Sequence, residues 1–376
     1  MIVFNWLSHW QAYQAFKKLD PVEKRIVIYS ESHQDWHHLE PLVTGLTEEY
    51  KQPICYVSSD NSDPGLQTSN PYVSTFCIPP SFVRTIFFQY LEAELLILTM
   101  MDLNNYELKR SIHAVHYVYL FHSLTSTHMV DNSNSFDHYD SLLCAGPHQV
   151  KEIRAREKMY GLKKKNLIKY GSNRLESIIE KARHPLQNQD THVLLAPTWG
   201  DQSILNKFGQ RLCKNILDQG YKLTVRPHYE TGKRTPNVLN ELQADYGDHP
   251  KFNLINDMGE NESLFQSQLL ITDWSGISIE YSLGLGKPVI FIDLPPRVRN
   301  PNWQDLGIQP FESWIRKKVG KVISPDDIDG ISEKINETVS QKNKIMAEIK
   351  SMREQWVYNL GETRSIGPRE IMKLLK

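Results

Sequence analysis

The sequence is short of cysteine, of long apolar runs and of net charge, and each shortage removes a class of protein. Four cysteines, Cys55, Cys77, Cys144 and Cys213, stand among 376 residues. None is in C-x-x-C spacing and no histidine accompanies them at zinc-ligand spacing, so neither a disulfide frame nor a structural zinc is expected. Three lie in apolar, strand-like runs, where a thiol serves as a small core side chain. The setting this implies is a reducing cytoplasm. No run reaches the roughly 18 apolar residues of a membrane-crossing helix. The first residues, "MIVFNWLSHWQAYQAFKKLDP", have no basic start and no small-residue cleavage site, so they do not read as a secretory signal. The formal net charge is −1, without the basic excess of a nucleic-acid binder, although a local basic groove for a phosphorylated ligand stays open. A Walker A loop and a GxGxxG fingerprint are also missing. "GLGKP" (284–288) imitates a glycine-rich loop but closes a helical pattern, so it reads as a C-cap turn.

What is present is a long series of β and α patterns. With 40% hydrophobic and 23% charged residues the composition is globular, and the length suits two domains. Strand-length apolar runs in the first half are "RIVIYS" (25–30), "ICYVSS" (54–59), "ELLILT" (94–99), "AVHYVYLF" (114–121) and "SLLCAG" (141–146). They are continuous rather than alternating, as in parallel strands covered on both faces. After a polar linker at His184 and Pro185 a second series begins: "HVLLAPT", "YKLTVRPH", "FNLIN", "LLITDW", "PVIFID" and "KVIS". The expected fold is α/β: two doubly wound, Rossmann-like domains, residues 1–183 and 184–376, facing across a cleft, with helices at the C-terminus. Trp6, Trp10, Tyr13 and Phe16 recur at helical spacing near the start. They suit a helix packed on the first domain better than an aromatic membrane foot, for which Lys17 and Lys18 supply little charge.

Ligands bind beyond the carboxyl ends of such strands, so the chemistry is sought there. Thr198 follows one strand of the second domain, Arg226 and His228 a second, and Asp273, Ser275 and Ser278 a third. Ser275 and Gly276 open the next helix, whose free N–H groups form an anion cradle, with Glu280 just inside it. Arg226 adds a fork suited to phosphate oxygens, and His228 a donor that titrates near neutrality. In the first domain His122 directly follows a buried strand, with Ser123 after it in the polar segment "HSLTSTH". It reads as a general base, or as a core histidine; the polar flank favours the base. His128 is a lesser candidate. The cluster "SESHQDWHH" (30–38) resembles a metal site only superficially and reads as a cleft loop, with His33 on the acceptor side. "DDID" (326–329) contains a literal DxD, but it precedes an amphipathic helix and reads as helix-start acids. No bound metal and no cofactor are expected.

Together these elements resemble the CDP-glycerol glycerophosphotransferase family of teichoic-acid-like and capsular polymer synthesis. "VYLFHSLTST" is similar to its strand-then-His-Gly-Thr element, "FDHYDSLLCAGPHQVKEIRAREKMYGL" to its strand-helix segment, and "YGSNRLESI" to its Gly-x-x-Arg-x-Asp turn. "LLAPTW", "VRPHY" and "ITDWSGISIEYSLGLGKPVIF" are similar to its three C-terminal motifs. Departures are Ser123 where the family has Gly, Trp274 where it has Tyr, and Gly276 where it has Ser.

The resemblance implies a GT-B fold and a CDP-glycerol or other CDP-alditol donor on the C-terminal domain. Thr198, Arg226, His228, Ser275 and Ser278 would hold the pyrophosphate, with Asp273 and the serines after it as one wall of that site. His122 would deprotonate an acceptor hydroxyl, which attacks the β-phosphorus and releases CMP, without metal. The acceptor would be a glycan or polyol-phosphate chain, often lipid-linked, so work at the inner face of the membrane is expected. The rivals are a glycosyltransferase of the same fold using a nucleotide sugar, a nucleotide-sugar epimerase, and a non-catalytic nucleotide-binding member of a capsule assembly complex.

Overall fold

Two parallel sheets organise the chain, one in each of two compact units. The computed structural model describes residues 3–105, 108–183, 191–255 and 262–375, with side chains from residue 7 onward. One unit comprises 1–174, 299–306 and 356–376; the other comprises 175–298 and 307–355.

The first sheet has seven strands: β1 (Ile26–Ser30), β2 (Ile54–Ser58), β3 (Val73–Cys77), β4 (Leu95–Leu98), β5 (His116–Leu120), β6 (Ser141–Cys144) and β7 (Asn166–Lys169). Their order is β3-β2-β1-β4-β5-β6-β7, all parallel. The inner strands carry the continuous apolar runs and are buried almost throughout. Helices on both faces leave no position for an alternating polar residue. The outermost strands, β3 and β7, are less apolar and less buried. The sequence reading had not singled them out.

The second sheet has six strands: β8 (His192–Leu195), β9 (Lys222–Val225), β10 (Phe252–Leu254), β11 (Leu269–Thr272), β12 (Val289–Ile292) and β13 (Gly320–Ile323). Their order is β10-β9-β8-β11-β12-β13, again all parallel. The strand order reverses between β1 and β4 in the first sheet and between β8 and β11 in the second. Each reversal opens a crevice at the carboxyl edge.

The expected break at 183/184 adjoins residues 184–190, which lie outside the described residues. The sequence reading assigned all of 184–376 to one domain; contacts group 356–376 with the first sheet. Tyr358 N–H donates to the Ala145 carbonyl at 2.9 Å and the Asn359 amide to that of Lys169 at 2.6 Å. The helix Thr363–Met372 then packs close to the helical segment that includes Gly45. A Cβ at Gly45 would lie 2.2 Å from Pro368, so only glycine permits that approach. The N-terminal helix Val3–Lys18 packs on the same unit. Tyr13 and Phe16 are buried, and Phe16 meets Phe76 and Phe87 edge-to-face. Among the described residues no helix is long and apolar enough to cross a membrane.

Candidate active site

Pairing of Leu195 with both Val225 and Ile271 brings the ends of β9, β8 and β11 side by side. Arg226 therefore follows β9, Thr198 follows β8, and Asp273 follows β11 on one carboxyl edge, as the sequence implied.

Asp273 is 1% exposed. Its Oδ1 accepts from the N–H groups of Thr198 at 2.8 Å and Trp274 at 2.7 Å. Its Oδ2 accepts from the Thr198 hydroxyl at 3.0 Å and the Ile204 N–H at 3.4 Å. The sequence reading had Asp273 lining the anion; the structure turns both of its oxygens inward, where they fix Thr198 across the crevice. Ser278 is likewise committed, its hydroxyl donating to the Ser275 carbonyl at 2.8 Å.

What faces outward is the start of the helix Ile277–Leu285. Gly276 is its N-cap, no side chain caps it, and Gly276 is exposed with Ser275 half-buried beside it. The N–H groups of Ser278 and Ile279 turn back to the carbonyls of Ser275 and Gly276, both at 3.1 Å, which leaves those of Gly276 and Ile277 for an anion. Glu280 stands in the first turn. "GLGKP" is a helix end: Gly286 takes φ +68° and its N–H caps the Ser282 carbonyl. Lys287 donates to the carbonyls of Leu264, Phe265 and Ser267, and burial pulls its ammonium down to about 8.

Arg226 is 7% exposed, and its N–H donates to the Leu195 carbonyl. His228 caps the helix Tyr229–Arg234, its Nδ1 accepting from the Glu230 N–H at 3.1 Å. That bond leaves the neutral ring's proton on Nε2. Burial, aided by Arg297, lowers the His228 pKa, so the ring is a neutral Nε2 donor near pH 7.

Sequence reasoning missed the residues around it. The Trp199 ring lies 6.1 Å from that of His228, with the guanidinium carbons of Arg297 and Arg234 at 3.8 and 4.7 Å from its centroid. The signal was legible: Trp199 directly follows Thr198, and Arg297 lies just past another strand, β12. Arg316, 4% exposed, donates to Asp293 at 3.2 Å and stacks 4.0 Å from the Trp274 centroid. It props the turn that carries Ser275.

In the first unit His122 follows β5 by two residues and is half-buried, its Nδ1 3.5 Å from the Tyr119 hydroxyl. Burial lowers its pKa and the nearby Asp35 partly opposes this. The imidazole near it belongs to His38, ring centroids 5.6 Å apart, and His38 stacks on His37 at 3.8 Å. Arg174 reaches His37 Nε2 at 3.2 Å. Burial, followed by the charges of His37, His122 and Arg174, holds His38 well below the usual histidine range. His33 stands apart, its Nδ1 2.8 Å from the Asp60 carboxylate and its side chain 55% exposed. The Ser123 hydroxyl forms a turn with Thr125 at 2.9 Å. His128 is buried, 3.4 Å from Glu152, which also accepts from the Thr127 N–H and hydroxyl, so His128 belongs to the scaffold of this loop.

"DDID" forms a short helical turn, Pro325–Gly330, capped by Ser324, with Asp329 paired to Arg211. Among the described residues no group of three or more His, Cys, Asp or Glu is placed to hold a metal ion.

A model of the CDP-glycerol:poly(glycerophosphate) glycerophosphotransferase family matches residues 87–294, more than half of the chain. No curated protein matches. Among solved structures, the wall teichoic acid polymerase TagF, in a variant soaked with CDPG, is similar with a TM-score of 0.63 and 15% identity, over 97% of this chain and 92% of that one. The UDP-GlcNAc 2-epimerase from Neisseria meningitidis, bound to UDP-GlcNAc, follows with a TM-score of 0.62 and 11% identity, over 93% and 100%. A glycosyltransferase from Rickettsia africae reaches 0.53 at 10% identity, over 94% and 99%. These likenesses establish the fold, a GT-B-like pair of Rossmann-like domains.

Proposed function

The chain belongs to the CDP-glycerol:poly(glycerophosphate) glycerophosphotransferase family, a family of enzymes, and on that premise we propose how its own residues carry the transfer. The donor is CDP-glycerol or a related CDP-alditol. Its pyrophosphate lies at the start of the helix Ile277–Leu285, against the N–H groups of Gly276 and Ile277, with Arg226 and Arg297 as counter-charges. Thr198, Asp273 and Ser278 hold that turn in place, and Glu280 suits a hydroxyl of the nucleotide or polyol.

His122 removes the proton of an acceptor hydroxyl, aided by surroundings that keep its ring neutral. The hydroxyl oxygen attacks the β-phosphorus, forming a new P–O bond. The bond between that phosphorus and the bridging oxygen breaks, and CMP departs. His228 donates from Nε2 to a phosphate oxygen as charge builds. Positioning and charge neutralisation carry the barrier reduction, with no metal required.

The observation that carries the reading is the His228 ring. Its Nδ1 is fixed as a helix-capping acceptor, so its other nitrogen is a donor on the same edge as the anion cradle. The acceptor is a glycan or polyol-phosphate chain of a teichoic-acid-like or capsular polymer, lipid-linked, and reached at the inner face of the membrane. A cytoplasmic setting agrees with four free cysteines, three of them buried with thiols pushed up to about 12. Isothermal titration against CDP-glycerol, CDP-ribitol, CMP, UDP and a UDP-sugar tests the donor class. Preference for a CDP-alditol supports phosphotransfer; preference for UDP or a UDP-sugar moves the protein to the glycosyltransferases.

A further inference from the structure

The amino edge of the first sheet carries a second basic site. Arg110 precedes β5, Asp137 to Asp140 precede β6, and Lys163 to Lys165 precede β7, so three neighbouring strands bring them together. With His138 and Tyr139 they line a surface cavity of about 240 Å³. His122 follows β5 at its other end, so the cavity is separate from the histidine cluster by the length of the strands.

The charges in this cavity do not cancel. Arg156 takes both oxygens of Asp137, at 2.7 and 2.6 Å. Asp140 accepts from Arg110 at 3.0 Å and from the Tyr117 N–H at 3.0 Å. With both carboxylates paired to arginines, three lysines remain in surplus. Lys163 and Lys164 are exposed, whereas Lys165 is 6% exposed. The Lys165 N–H donates to Glu157, and its carbonyl accepts from Arg154. Its ammonium has no hydrogen bond or ion pair with any described residue. Glu157, the carboxylate nearest in sequence, is paired instead with Arg154 at 2.6 Å. The ammonium nitrogen is not among the side-chain atoms cut off from solvent, so it opens to the cavity as a donor with no bonded acceptor. Burial lowers the Lys165 pKa, and the carboxylates of Asp137, Glu157 and Asp140 partly oppose this without bonding the ammonium.

We propose that this cavity is a phosphate-binding site, taking one phosphate mono- or diester group of a small polyol, with Lys165 at its base and Lys163 and Lys164 at its mouth. Ammonium groups suit tetrahedral phosphate oxygens, and the cavity is too small for a nucleotide. The phosphate belongs either to a soluble glycerol-phosphate unit or to the head group of an anionic glycerophospholipid. The site stands independently of the donor chemistry proposed for the carboxyl edges.

The test titrates sn-glycerol 3-phosphate into the full chain at fixed ionic strength, and in parallel sediments the protein with phosphatidylglycerol or phosphatidylcholine vesicles. The variants are Lys165→Met, the pair Lys163→Ser with Lys164→Ser, and His228→Asn as a control on the other site. Saturable binding of glycerol phosphate, weakened tenfold or more by Lys165→Met and unchanged by His228→Asn, supports the proposal with a soluble source. Lys165-dependent binding to phosphatidylglycerol vesicles alone supports it with a lipid source. Lys165→Met breaks no hydrogen bond or ion pair of the ammonium, so its melting temperature is expected to hold; should that variant not fold, a threefold or greater loss in the Lys163/Lys164 pair decides. Binding of neither probe, binding equal in all variants, or binding lost only in His228→Asn overturns it.

Discussion

His122 and His228 each follow a buried strand of a parallel sheet, and burial lowers the pKa of both, yet they are tethered differently. His228 has its Nδ1 occupied by the N–H of Glu230, which fixes the tautomer and makes Nε2 a donor. His122 has only a long contact to Tyr119 and a second imidazole, His38, nearby. A ring held in one tautomer suits a standing role, polarising an anion. A ring with little bonded to it can both accept and release a proton. The environment therefore assigns different work to two histidines that look alike in sequence.

Two substitutions sharpen or break that contrast, and three further tests probe its surroundings. The largest effect is expected from His122→Ala. Turnover should fall by roughly 10²–10⁴, the range for a general base, while donor affinity stays within a few fold; loss of donor binding instead would make His122 a donor ligand. Next is His228→Asn, whose side-chain oxygen can still cap the helix while the Nε2 donor is gone. A fall in kcat of roughly 10²–10³ with the melting temperature preserved is expected; a kcat near wild type would leave His228 a cap and nothing more.

Acid comes third. Burial lowers His148 and His192 to about 4, and both are buried. Their folded-state values lie below the unfolded value near 6.5, so the unfolded chain takes up protons first as pH falls. The stabilisation is complete above pH ~6.5 and is lost towards about 4, up to about 3 kcal/mol for each ring. Urea midpoints at pH 7 and pH 5 measure this, and equal midpoints would contradict it. Fourth, Asp273→Asn places an amide where several N–H and O–H donors converge. It should cost about 2 kcal/mol of stability and loosen the Thr198 loop, and an unchanged melting temperature would remove Asp273 from its bracing role. The smallest effect is expected from EDTA: activity should stay intact, and a complete loss restored by metal would overturn the metal-free mechanism.

The legibility of the sequence followed the same physics. Inner strands such as β1, β4 and β11 are covered on both faces, so their apolar runs announced them. β3 and β7 lie at the edges of the first sheet with weaker burial, and their mixed residues gave no such run. The strand ends of the second sheet were legible because parallel pairing fixes which residues share an edge. Side-chain direction was not: nothing in "ITDWSGIS" reveals that Asp273 turns inward and Ser278 closes on Ser275. That His38 rather than His33 stands beside His122 was equally hidden. It depends on helix phase after β1 and on Asp60, 27 residues away, which holds His33 at the surface. The Trp199, Arg234 and Arg297 cluster comes from three separate segments, and only its Trp199 and Arg297 stand at strand ends where a search would look.

In the proposed reaction phosphorus, not an anomeric carbon, is attacked. The most direct measurement separates the nucleotide products after incubation of the protein with CDP-glycerol, a UDP-sugar and a polyol-phosphate acceptor. Release of CMP in step with glycerol-phosphate incorporation is the predicted result. Release of a nucleoside diphosphate from a nucleotide sugar, with CDP-glycerol left untouched, would contradict it.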